Sequence, residues 1–266
     1  MLMLFVIDIG NTNTVMGLYE GNHLVDNWRV RTERNTTEDE FYILASNFFA
    51  RSKIQVKRIK KTIISCVVPP VVLALDLFCR KYLGHAPHWI DAKSVSAMPL
   101  CVLNPSEVGA DRIVNSVAAF HKYKTSLIVI DFGTATTFDA ISEHGEYLGG
   151  AISPGIRIAA EALFDQASKL PRVEIFIPPD TAIGKDTDSS MKSGIIFGYA
   201  ALVDGMVHRI AKEMGTDPRI IATGGLAGLM QKVSGTIESV EPNLTLEGLC
   251  ILGNPLKSST ELKADN

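Results

Sequence analysis

The chain lacks the signatures that most often disclose nucleotide or metal chemistry. It has no GxxxxGK followed by Ser or Thr, no GxGxxG and no GxSxG. P-loop, dinucleotide-fold and serine-hydrolase readings are therefore without their motifs. Its six histidines include no HExxH, and His85 and His88 stand merely three apart, so a zinc centre is not expected. The four cysteines, Cys66, Cys79, Cys101 and Cys250, show no paired spacing, and three lie in apolar stretches. They read as reduced, mostly buried thiols of a cytoplasmic protein. A net charge of −3 argues against a nucleic-acid binder held by phosphate contacts. The basic cluster Lys53, Lys57, Arg58, Lys60 and Lys61 reads as a solvated helix end and strand start. The apolar stretch from Ile63 to Leu77 is broken by Pro69-Pro70 and Asp76, so no membrane span is expected. The apolar opening, Met1 to Ile7, has neither a basic n-region nor a small-residue cleavage site, and Asp8 ends it. It reads as a strand, not a signal peptide.

What the chain does have is one segment written twice. Leu4-Phe5-Val6-Ile7-Asp8-Ile9-Gly10-Asn11-Thr12-Asn13-Thr14 returns as Leu127-Ile128-Val129-Ile130-Asp131-Phe132-Gly133-Thr134-Ala135-Thr136-Thr137, with six identities in eleven positions at an offset of 123. The next turn is in step, Tyr19-Glu20-Gly21-Asn22 answering Ser142-Glu143-His144-Gly145. Each copy reads as an apolar strand ending in an acid, a glycine turn with hydroxyls, then a second strand. Two copies in register point to duplication.

The chemistry of that segment is phosphate and metal. A carboxylate fixed at a strand end suits a hard cation, directly or through water, so Asp8 and Asp131 are candidates. Gly10 and Gly133 let backbone approach a polyphosphate closely, and the amides and hydroxyls of Asn11, Thr12 and Thr14 can cradle its oxygens. Two facing hairpins would clamp a nucleotide in a cleft between two half-molecules.

With 266 residues, 46% hydrophobic and 21% charged, the chain can build a substantial core, as one large domain or two small ones. Thr37-Glu38-Asp39-Glu40 is a capping box opening a helix whose Phe41, Leu44, Ala45 and Phe48 share a face. Lys61 to Val68 reads as a buried strand, followed by a helix to about Tyr82 that Gly84 closes. Further helices are expected at Ile113 to Tyr123, Ile156 to Leu170 and Ser189 to Met214, with a strand at Arg219 to Ala222. This alternation predicts an α/β architecture with helices on the sheet faces. The halves are expected at residues 1–118 and 119–256, joined within or beside a helix, with a polar tail at 257–266.

The ordered set of motifs resembles the acetate kinase, sugar kinase, heat-shock cognate and actin superfamily, and within it type III pantothenate kinase. Asp8-Ile9-Gly10-Asn11-Thr12 is similar to that family's first phosphate motif, and Asp131 to Thr137 to its second. Gly109-Ala110-Asp111-Arg112 resembles its substrate motif and Thr223-Gly224-Gly225 its adenosine motif. The resemblance implies duplicated ribonuclease-H-like (actin-like ATPase) halves and ATP-dependent phosphorylation of pantothenate. It implies ATP contacts from Asp8, Ile9, Gly10, Asn11, Thr12, Asn13, Thr14, Val15, Thr134, Gly224 and Gly225. Pantothenate would be met by Gly109, Ala110, Asp111, Arg112 and Thr187, with Asp111 as catalytic base. Mg²⁺ would lie near Asp8 and a monovalent cation, K⁺ or NH₄⁺, at Asp131, in a cytoplasmic homodimer. The chain departs from the family where Asp186 replaces a frequent Asn, and where Val102, Leu103 and Asn104 replace a substrate-side tyrosine.

On local grounds alone, Asp111 beside Arg112 reads first as a helix cap or a structural ion pair, and it is the resemblance that makes it a base. Thr223-Gly224-Gly225 could be a plain tight turn. The rivals to a pantothenate kinase are another small-molecule kinase of the superfamily and a nucleotide-binding regulator without turnover. The concurrence of Asp8, Asp131 and Asp111 speaks against the regulator, which would need no base.

Overall fold

The computed structural model describes residues 2–92, 98–167 and 170–254. The chain divides into two compact units. The first holds the described residues up to 92, residues 104–118 and those from Thr245; the second holds 98–103 and 119–244.

In the first unit, β1 (Met3–Ile9), β2 (Asn13–Glu20) and β3 (His23–Arg31) form an antiparallel meander. Next come α1 (Glu38–Arg51), β4 (Ile59–Cys66), α2 (Val72–Phe78), β5 (His88–Trp89) and α3 (Ala110–Tyr123). The last helix runs from this unit into the second, the division falling after Ala118. The sheet order is β3-β2-β1-β4-β5, with β1 parallel to β4. β1 is a continuous apolar run because both its faces are covered. Phe5, Ile7 and Ile9 pack with Phe41, Ala45 and Phe49 of α1 and with Leu75 and Phe78 of α2.

The second unit repeats the plan. It contains β6 (Leu127–Phe132), β7 (Ala135–Ile141), β8 (Tyr147–Pro154), α4 (Ile156–Gln166), α5 (Thr187–Met214), β9 (Arg219–Gly224), α6 (Ala227–Met230) and β10 (Ser239–Val240). Its sheet, β8-β7-β6-β9-β10, has the order and strand directions of the first. The duplicated ribonuclease-H-like fold is therefore present in topology as well as in sequence. Ile128, Ile130 and Phe138 lie under Ile195, Ile196, Val203 and Val207 of α5. α5 is long and apolar enough to cross a membrane, yet one of its faces is part of this core.

Several sequence expectations shift. α1 buries Phe41, Ala45 and Phe49, while Phe48 is half-buried and stacks on Trp28, because the core-facing stripe follows a strict four-residue step. α4 ends at Gln166 rather than about residue 170, and α5 begins at Thr187 because Asp186 and Ser189 form its own capping box. Sequence patterning assigns residues up to 256 to the second half. The terminal helix α7 (Leu244–Gly253) instead packs in the first unit, where Leu246 lies against Gly17 and Gly253 against Leu4 and Ile63. Those apolar contacts cover the sheet face opposite α1 and α2. The expected polar tail at 257–266 lies outside the described residues.

Candidate active site

The first turn is pinned from two directions. Gly10 N–H donates to Asn13 O at 3.0 Å, closing a three-residue loop between β1 and β2. Thr32, just past β3, donates its amide to Thr12 O at 3.0 Å and its hydroxyl to Gly10 O at 2.8 Å. The same hydroxyl meets Thr14 Oγ1 at 3.0 Å. This leaves Asn11 and Thr12 exposed at the tip, with Asp8 half-buried at the strand end opposite Val15 and beside Ser65. Ile9 and Thr14 are buried, and Asn13 and Val15 half-buried. At Gly10 a Cβ would stand 3.2 Å from Asn13 O, so the turn is tight.

The second turn is one residue shorter. Gly133 N–H donates to Ala135 O at 3.0 Å, so Asp131 pairs with Thr137 where Asp8 pairs with Val15. The structural counterpart of Thr14 is consequently Thr136, not the Thr137 that the fixed offset suggests. The counterpart of Thr32 is Gly155, whose amide donates to Thr134 O at 3.2 Å just as Thr32 N–H donates to Thr12 O. A Cβ at Gly155 would collide with that oxygen and come within 2.8 Å of Gly133 O. Without a hydroxyl at residue 155, the buried Thr136 hydroxyl has no hydrogen-bond partner. Thr32 and Gly155 were not singled out from sequence, although the offset of 123 relates them directly.

Asp131 and the glycine of the Thr223 turn are brought together. β6 and β9 run in parallel register, Asp131 beside Thr223 and Phe132 beside Gly224. Gly224 has φ +91°, and a Cβ there would stand 2.5 Å from Asp131 Oδ1 and 2.7 Å from Phe132 N. Glycine is required twice over, for the backbone conformation and for the space the carboxylate occupies. Thr223 is buried and donates to Glu241 O at 2.8 Å, while Gly225 is exposed. Oxygen-only chemistry beside two glycine Cα positions, Gly133 and Gly224, fits a hard monovalent cation. Among the described residues no three acids, histidines or cysteines cluster as a metal site.

Gly109, Ala110, Asp111 and Arg112 form the entry to α3. Asp111 lies in its first turn, half-buried, with Oδ1 accepting from Arg112 N–H at 2.9 Å. A Cβ at Gly109 would stand 2.5 Å from that same Oδ1, so the glycine makes room for the carboxylate. Burial pushes the Asp111 carboxyl above the ordinary range, against the opposing pull of the Arg112 amide and charge. A carboxylate made more basic by its surroundings is suited to accept a proton. Thr187, the first residue of α5, is exposed at the rim of an open groove of about 1050 Å³ between α4 and α5, lined also by Pro154, Leu163, Met191 and Leu202. Asp186 caps that helix, accepting from Ser189 N–H at 2.8 Å. An Asn would cap equally well, so the departure is conservative. At the positions where the resemblance leads one to expect a tyrosine, Leu103 is fully exposed and Asn104 bonds Glu107 at 3.1 Å.

Comparison with known proteins shows the family. The family model of type III pantothenate kinase matches residues 4–209. The type III pantothenate kinase of Desulfatibacillum aliphaticivorans is 63% identical over 257 residues, covering 97% of this chain and 100% of the relative. That of Syntrophotalea carbinolica is 52% identical, covering 94% and 98%. Among solved structures, component A of the (R)-2-hydroxyglutaryl-CoA dehydratase of Acidaminococcus fermentans aligns with a TM-score of 0.55 at 13% identity, covering 95% of this chain and 96% of that one. MreB 5 of Spiroplasma citri aligns at 0.55 and 11%, covering 98% and 99%. These two share the fold alone. The motif order, the doubled sheet and the near-complete identity span agree, and the chain belongs to the type III pantothenate kinase family.

Proposed function

We propose that the chain transfers the terminal phosphoryl group of ATP to the primary hydroxyl of pantothenate, giving 4'-phosphopantothenate, the first step of coenzyme A biosynthesis. Family membership supports the reaction. The observation that carries the mechanism is the half-buried Asp111 carboxylate, given room by Gly109 and raised in basicity by burial. Phosphoryl transfer asks the protein for alignment and charge neutralisation rather than covalent work. Asp111 accepts the hydroxyl proton, Arg112 orients the acceptor, and Gly109, Ala110 and Thr187 complete the pantothenate contacts. The turn from Asp8 to Val15, together with Thr134, Gly224 and Gly225, holds ATP. When bound, Mg²⁺ near Asp8 and K⁺ or NH₄⁺ at Asp131 offset phosphate charge.

The enzyme acts as a cytoplasmic homodimer. Support for the dimer comes from apolar side chains left exposed on the second unit, among them Ile152, Phe176, Ile177 and Ile183. Four free cysteines suit a reducing compartment. The reaction is tested with purified protein, ATP, Mg²⁺ and K⁺ against pantothenate, sugars and acetate. Turnover on a sugar and not on pantothenate would replace the acceptor; ATP binding without turnover would leave a regulator. Light scattering at micromolar concentration tests the dimer, and a fully active monomer would remove it. Exchanging K⁺ for a bulky organic cation at constant ionic strength tests the cation, with unchanged turnover the adverse result.

A further inference from the structure

Helix α7 lies beyond residues 4–209 that the family model matches. It is fastened to the first unit along its whole length. Thr245 Oγ1 donates to Asn115 Oδ1 of α3 at 2.7 Å. Lys61 Nζ donates to Gly253 O at 2.6 Å, and Asn254 Nδ2 to Gly21 O at 3.2 Å. Between these ties, buried Gly248 sits directly on the α3 backbone. A Cβ there would overlap the Val114 carbonyl oxygen and stand 2.9 Å from the carbonyl carbon. A carbonyl held in a helix ladder cannot swing aside as a side chain can, so the two helices touch backbone to backbone only because residue 248 is glycine. Val114 follows Asp111 by three residues, which places the two on one face of α3, a turn apart.

We propose that α7 is a clamp that positions the base. Gly248, by letting α7 seat on Val114, and Thr245, by bonding Asn115, hold α3 where Asp111 meets the acceptor hydroxyl. Both are positioning residues; neither is placed in contact with substrate. The inference rests on Asp111 being the base. Its mark is a loss falling on kcat, because Gly248 and Thr245 meet α3, whereas α7 meets β1 and β2, which flank the first nucleotide turn, through Gly253 and Leu246 instead.

The test compares Gly248→Ala and Thr245→Val with the unaltered enzyme, using steady-state kinetics, binding of a non-hydrolysable ATP analogue and a thermal melt. A misplacement of about 1 Å can cost on the order of 10²-fold. Gly248→Ala should accordingly lower kcat about 10–100-fold, with KM for ATP and analogue affinity within about twofold. Adding Val114→Ala should not restore the rate, since the obstruction is a backbone carbonyl. Thr245→Val adds no bulk and removes one bond, and should lower kcat by a smaller factor, about 3–10-fold. It decides the matter alone should Gly248→Ala fail to fold. A folded Thr245→Val enzyme with unaltered kcat, or an equal loss in nucleotide affinity, overturns the clamp. Asp111→Asn is assayed in parallel. Full activity there would show the base to be misassigned, and any loss in the α7 variants would then refute the route through Asp111 separately.

Discussion

Replacing Asp111 by Asn keeps the size of the side chain and an acceptor oxygen for the Arg112 amide, now 2.9 Å from Oδ1. It removes basicity and charge. A positioned general base contributes about 10²–10⁴-fold, which at about 1.4 kcal/mol per decade is roughly 3–6 kcal/mol of the barrier. The loss should fall on kcat, with KM for ATP nearly unchanged. Stability should move the other way. The Asp111 carboxyl is raised by burial, so the fold favours its protonated form, and ionisation at neutral pH costs folding free energy. Asn carries no such cost. The variant should therefore melt at or above the wild-type temperature at pH 7. The difference should close as pH falls below about 4, the ordinary carboxyl range, where Asp111 too is neutral. The wild-type rate should fall with pH through the raised carboxyl value, and the variant should lack that acid limb. Steady-state kinetics across pH, beside melts at pH 7 and pH 4, reads all of this. A variant with wild-type kcat, or one that melts lower at pH 7, would mean that Asp111 is a structural cap.

Gly224→Ala should destabilise through two additive causes, about 1–2 kcal/mol for a left-handed alanine and about 1–3 kcal/mol for overpacking against Asp131 and Phe132; denaturant titration measures it. Thr32→Val removes the hydroxyl that serves Gly10 O and Thr14, and should cost about 1–3 kcal/mol while raising KM for ATP by loosening the first turn. Gly205→Ala, at an exposed interior position of α5 where a Cβ meets nothing within 4 Å, should stabilise by about 0.5–1 kcal/mol, and an unchanged or lowered melt would contradict the helix assignment there.

The paired hairpin strands and the duplicated plan were legible because apolar periodicity and the doubled Asp-x-Gly turn are local signals. The capping box at Thr37 and Glu40 was legible for the same reason, two residues reporting on each other across three positions. What sequence did not disclose depends on distant partners. Thr32 acts on a turn twenty-two residues upstream, and α7 reaches an α3 residue one hundred and thirty positions away. The Thr14–Thr137 match misled because a two-residue second turn shifts the hairpin register by one. The offset recovers at β3 and β8, where Arg31 and Pro154 pair with Asn13 and Ala135.

The differences between the two copies are as informative as the likeness. In the first, the position after Ser65 is Cys66, whose sulfur is engaged with Val68 O at 3.3 Å and fills the space beside the strand end. In the second, that position is Gly224, and the vacated volume is where Asp131 Oδ1 lies. The first turn is tied down by a side chain, Thr32, whereas the second admits only a bare backbone at Gly155. Each change in the second copy removes a Cβ within reach of the turn or its aspartate. That space is not empty: Thr134 O and Gly133 O fill it at Gly155, and Asp131 Oδ1 with the Phe132 backbone fills it at Gly224. A side chain at either position would overpack and push the turn or the carboxylate aside. The first copy therefore fixes its turn by hydroxyl hydrogen bonds, and the second fixes its turn and its aspartate by close backbone contact, which only glycine permits.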